Sequence, residues 1–94
     1  MAGRGVTRYA ALGAYLAARA AAGQARVVLS LATIEGEILH GLLPPTARIP
    51  RRRWNWWHQG GKSPHAWEGW LRVGWRVEAV DFAGETVTFV RGAG

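Results

Sequence analysis

Two short runs near the carboxy-terminal end constrain this chain most. From Trp75 to Val80, Trp, Val and Ala alternate with Arg, Glu and Val. From Thr86 to Arg91, Thr86, Thr88 and Val90 alternate with Val87, Phe89 and Arg91. Asp81-Phe82-Ala83-Gly84-Glu85 between them is turn-like. A period of two interrupted by turn residues predicts an antiparallel β-hairpin. A lone hairpin is marginal in water, so it needs a further strand and a covering layer. Arg26 to Leu31, RVVLSL, has the β-branched alternating character of that strand.

The covering layer is helical. Thr7 to Ala22 is Ala-rich and helix-favouring, with Tyr9, Leu12, Leu16 and Ala20 forming one stripe. Thr7 is positioned as its N-cap, and Gly23 as the residue just past its end. Ser30 closes the strand and caps a second helix, LATIEGEILH, with Leu31, Ile34, Ile38 and Leu39 on one face. Gly36 weakens that helix by about 1 kcal/mol relative to Ala, and Gly41 ends it. Pro44-Pro45 forces a break, and Pro45-Thr46-Ala47-Arg48 starts a short helix that Pro50 stops. Arg51 to Lys62 has no clean period, so 49–62 reads as a basic, Trp-rich loop. Ser63-Pro64 opens a third helix over 63–73, with Trp67, Trp70 and Leu71 on its core face and His65, Glu68 and Arg72 outward. Gly74 closes it.

The expected order is α, β, α, short α or loop, α, β, β, with a small three-stranded antiparallel sheet. This α+β arrangement is winged-helix-like. At 94 residues the chain is one domain. It buries roughly 60–65% of its unfolded surface, enough for one modest core. Residues 1–6 read as a disordered tail. The six tryptophans supply much of the apolar surface.

Several function classes recede on composition. There is no cysteine, so disulfides and thiolate metal sites are excluded. His40, His58 and His65 lack paired ligand spacing, and no metal or cofactor is expected. No nucleophile or oxyanion site stands beside them, Gly60-Gly61 is only a turn signal, and no enzyme is expected. No apolar run approaches a membrane span. The acid-free start has the charge of a targeting peptide, but Tyr9 to Ala18 is short and Arg19 closes it. The reading is a cytoplasmic protein whose first helix begins there.

The formal charge is +6, from twelve Lys and Arg against six Asp and Glu. Eleven of the twelve are Arg, so a GC-rich genome could inflate the total, and placement says more. Residues 1–29 carry +4, 30–47 carry −2, 48–62 carry +5 and 63–94 carry −1. The block RIPRRRWNWW interleaves Arg with Trp. Guanidinium forks match phosphate oxygens, and indoles stack on unpaired bases.

From Tyr9 onward the chain also resembles a small bacterial domain family with no established activity. Tyr9, Leu12, Tyr15 and Leu16 match its first helix, and Leu29-Ser30-Leu31 its strand end. Ile34-Glu35 and Ile38-Leu39 match its Glu-Ile-Glu helix. Leu43-Pro44-Pro45-Thr46-Ala47-Arg48 and Trp56-Trp57 follow. Trp70-Leu71, Gly74-Trp75-Arg76-Val77, Val80-Asp81 and Val87-Thr88-Phe89 match its closing portion. Thr33 departs from the Glu of that pattern, and His58-Gln59-Gly60-Gly61 from an Asn-Asp-type stretch. The resemblance implies one compact domain and brings no activity with it.

Two functions remain. The first is nucleic-acid binding, duplex DNA preferred, with Arg48, Arg51, Arg52, Arg53 and Lys62 on phosphates, Trp54 or Trp56 wedging or stacking, and Arg8 or Arg19 assisting. The second is a protein-interaction module whose Trp/Arg loop is the hot spot, as partner of a nuclease or larger complex. The hairpin tip, Phe82 to Glu85, is uncharged or acidic and is not expected to touch phosphates.

Overall fold

The computed structural model describes residues 9–49, 56–58 and 64–92. Thr7, the expected cap of the first helix, lies outside them. Helix α1 spans Ala10–Ala21. Leu12 and Leu16 are fully buried, with Tyr9 and Ala20 packed at the edge of the core. Gly23 ends the helix as its sequence position predicts. Its φ of 90° is open to glycine without strain. Gly23 N–H donates to Ala20 O (2.9 Å) and Gln24 N–H to Arg19 O (3.0 Å), satisfying carbonyls that the helix end leaves free.

Strand β1, Arg26–Ser30, leads directly into α2, Leu31–Thr33. The Ser30 hydroxyl accepts from Thr33 N–H at 3.0 Å, the N-cap bond expected of it. Thr33 Oγ1 lies 2.9 Å from Ser30 Oγ, so the threonine bonds to the cap where a glutamate would reach back to the backbone. The α-helix predicted to run on from there does not. The chain widens into a π-helical turn, Ile34–Ile38, closed by Leu39 N–H to Ile34 O at 2.8 Å. His40, not Gly41, takes the left-handed conformation that ends it, at φ 54°.

A 3-10 turn, Pro45–Arg48, follows, and a second, Trp56–His58, lies inside the stretch read as loop. Helix α3 covers only Pro64–Gly69. Trp70 breaks it with φ −150°, and Leu71–Val73 forms a separate 3-10 turn closed by Gly74. The expected single helix over 63–73 is therefore two pieces. Its facing is also corrected. Ala66 and Trp70 are buried, whereas Trp67 is 47% exposed. The inward stripe is Ala66, Gly69 and Trp70, one position away from the one that the large residues suggested.

Strands β2, Trp75–Asp81, and β3, Thr86–Arg91, complete an antiparallel sheet in the order β1-β3-β2. Val27 and Val77 flank Phe89, and Leu29 and Val80 flank Val87. The register shifts between Val77 and Ala79, leaving Glu78 as a bulge. One extra residue flips the side-chain phase. Val80 thus packs against the core and Ala79 is exposed, the reverse of uninterrupted alternation.

The described fold is a mixed helix-and-strand domain with three α-helices and a small antiparallel sheet. Its core lies between the helices and one sheet face. Trp57 stacks on Trp70 (centroids 5.5 Å apart, 29°), and both meet Phe89. Burial of each such ring contributes about 1.5–3 kcal/mol or more. Where α1 crosses α3 the backbones nearly touch. A Cβ on Gly13 would lie 2.7 Å from Glu68 O.

Candidate nucleic-acid interface

Two anchored points flank the Arg run of the basic segment. The first is Ala47-Arg48. Arg48 donates through Nη1 to Glu35 Oε2 (2.7 Å) and through Nη2 to Glu35 Oε1 (2.9 Å), a bidentate fork. Glu35 Oε2 also accepts from Leu43 N–H at 2.8 Å. The carboxylate is 11% exposed. The Arg48 hydrogen bond holds its carboxyl below the ordinary glutamate range, against burial, which pushes it up; Leu43 N–H adds to the lowering. The same contact raises Arg48. Glu35 thereby ties the π-helical turn to the Pro45–Arg48 turn. A third group completes the node. Glu85 Oε2 lies 3.6 Å from Arg48 Nε.

The second anchor is Trp56-Trp57. Trp57 Nε1–H donates to Ala47 O at 2.9 Å, linking the two anchors across positions 48–56. Trp56 is 8% exposed. His65 of α3 stacks on it, with centroids 3.9 Å apart and planes at 5°. His65 Nε2–H donates to Trp56 O at 2.8 Å, and a carbonyl can only accept, so the donor is assigned to Nε2. Burial lowers the His65 pKa, opposed by the Trp56 carbonyl, which favours the charged ring. Tyr9 packs against both Trp56 and His65.

The expected contact residues fall into three groups. Arg8, Arg51, Arg52, Arg53, Trp54 and Lys62 lie outside the described residues. Arg19 bonds through Nε to Gln24 Oε1 (2.6 Å), and its guanidinium sits 5.9 Å from the Tyr15 ring centre. Arg48 and Trp56 are in place but committed. Arg48, expected on phosphates, is paired with Glu35. Trp56 is enclosed between Tyr9, Trp57 and His65, so its faces are not open to a base in this packing. The hairpin turn keeps Glu85 at φ 55°, and its Leu31-facing carbonyl accepts from Leu31 N–H at 2.8 Å.

Three of the described cations are in ion pairs. Arg26 pairs with Glu78 (3.2 Å), Arg48 with Glu35, and Arg72 with Glu68 (3.6 Å).

Sequence reasoning missed three participants. Glu35 has no role in the sequence pattern, because its partner is thirteen residues away and no local pattern links them. His65 was placed outward, but it covers Trp56. Trp67 was placed in the core. The one usable signal for Trp67 was Ala66 beside Gly69, small residues that mark a close helix contact. No described helix is long and apolar enough to cross a membrane. No protein-family model, curated protein or solved structure matches the chain.

Proposed function

We propose that this protein binds nucleic acid, with duplex DNA preferred, through the basic segment that starts at Arg48 and includes Arg51, Arg52, Arg53 and Lys62. The observation that carries this reading is the concentration of cations along the chain: residues 48–62 carry +5 with no acid, interleaved with Trp54, Trp56 and Trp57. Guanidinium forks match phosphate oxygens, and the described residues that flank the Arg run, Ala47 and Trp57, are joined by a hydrogen bond. The order of elements and the strand order β1-β3-β2 support a winged-helix-like arrangement. In that arrangement the contact lies on the segment after α2. Helix α3 is too short and carries Glu68, and the hairpin tip carries Glu85.

Titration of labelled duplex DNA, single-stranded DNA and RNA at several salt concentrations tests the reading. Four phosphate contacts give a slope of log K against log salt of about −3.6 on duplex, and replacing Arg51, Arg52 and Arg53 with Ala removes about 2.7 of it. Equal, negligible binding to all three nucleic acids at low salt sinks the reading.

One observation favours a second reading, a protein-interaction module. Trp67 stands 47% exposed on α3, and Leu42 and Ile49 are exposed beside the two anchors' turn. Exposed Trp is a common anchor of protein interfaces. Capture of one stoichiometric protein partner that survives high salt and is lost in Trp67→Ala would favour it over nucleic-acid binding.

A further inference from the structure

Arg48 is only half used by Glu35. A guanidinium has five N–H groups, and Glu35 takes one from each Nη. The remaining edge carries Nε–H. Among the described residues that edge faces Glu85 alone, at 3.6 Å, beyond hydrogen-bond length. Glu85 is more than half exposed at 54%, whereas Arg48 is 33% exposed and its fork is fixed by a nearly enclosed carboxylate. One carboxylate therefore orients the guanidinium, and a second only shadows it. The Glu85 carbonyl accepts from Leu31 N–H and its backbone is left-handed, so moving the carboxylate off Arg48 requires only a side-chain rotation.

We propose that the Nε edge of Arg48 is a phosphodiester contact point, oriented by Glu35, and that Glu85 is the anion an incoming phosphate displaces. The inference rests on the nucleic-acid reading and deepens it. Among the described residues Arg48 is held by a bidentate fork to a nearly enclosed carboxylate, so it sets where the phosphate backbone lies relative to the folded domain. Glu85 weakens the contact. It occupies the approach with a like charge, and a phosphate oxygen must replace it at the same edge.

Glu85→Gln tests this directly, because it keeps the side chain's size, its backbone bond and its conformation. Duplex affinity at low salt is expected to rise about two- to fivefold, the range of a surface charge contact. Glu78→Gln, the same charge change against Arg26 on the open sheet face, gives the background from net charge alone and is expected to produce a smaller gain. Arg48→Lys keeps a cation for Glu35 but loses the fork, and the Glu85→Gln gain is expected to vanish in that background. Thermal melts of all variants check the fold. Equal gains from Glu85→Gln and Glu78→Gln, or a gain that persists with Arg48→Lys, overturn the proposal while leaving nucleic-acid binding standing. Failure of the unmodified protein to bind any nucleic acid at low salt overturns both.

Discussion

Gly13 and Gly36 should respond to the same substitution with opposite signs. Both lie in helical segments, where Ala is favoured over Gly by about 1 kcal/mol. At Gly36 a Cβ meets nothing within 4 Å and the residue is exposed, so Gly36→Ala is expected to gain up to about 1 kcal/mol. At Gly13 the Cβ would stand 2.7 Å from Glu68 O, about 0.7 Å inside the 3.4 Å at which ordinary contact begins. The obstacle is a backbone carbonyl, which cannot rotate aside as a side chain does. Helices α1 and α3 must part, and Leu12, Ala66 and Trp70, all buried, lose contact with one another. Overpacking of this kind costs about 1–3 kcal/mol, against the 1 kcal/mol of propensity. A backbone clash falls in the upper part of that range, so the net loss is about 1–2 kcal/mol. For a domain of this size that lowers Tm by roughly 5–15 °C. Thermal and urea denaturation followed by far-ultraviolet circular dichroism reads both variants. A Gly13→Ala protein as stable as the unmodified one would refute the close α1–α3 approach. A Gly36→Ala protein that falls with it would refute the open site in the π-helical turn.

Three more outcomes follow from the same contacts. Trp57→Phe deletes the N–H bonded to Ala47 O and is expected to cost about 1–3 kcal/mol. Trp75→Phe is expected to cost less, because the buried Trp75 Nε1 has no acceptor among the described residues; urea midpoints that reverse this order contradict the reading. Glu35 is held below its ordinary value of 4.5, chiefly by Arg48. Its stabilisation is complete above that value and lost as pH falls through the lower folded one, so Glu35→Gln should flatten the acid limb of a Tm–pH profile. His65 is held below its ordinary 6.5 by burial. Its contribution is likewise complete above that pH and lost as pH falls through the folded value, because the unfolded chain binds the proton first. His65→Phe should remove the slope just below neutrality, and a slope that stays intact argues against the buried imidazole.

The chain by itself determined the elements whose signal is local. Gly23 ends α1, Ser30 caps α2, Pro45 opens a turn and Gly84 sits in the hairpin, because each acts through its own backbone geometry or a bond a few residues away. The uneven charge was also legible, since counting needs no structure. What only the tertiary structure decided depends on contacts between distant segments. A bulge at Glu78 exchanged the facing of Ala79 and Val80. The approach of α1 to α3 turned Ala66 and Gly69 inward and left Trp67 at the surface, because two backbones in contact have no room for an indole. The same long-range packing enclosed Trp56 under His65 and paired Arg48 with Glu35. A cation's availability is settled by which carboxylate reaches it, and that is a property of the fold that a count of charges along the chain does not contain.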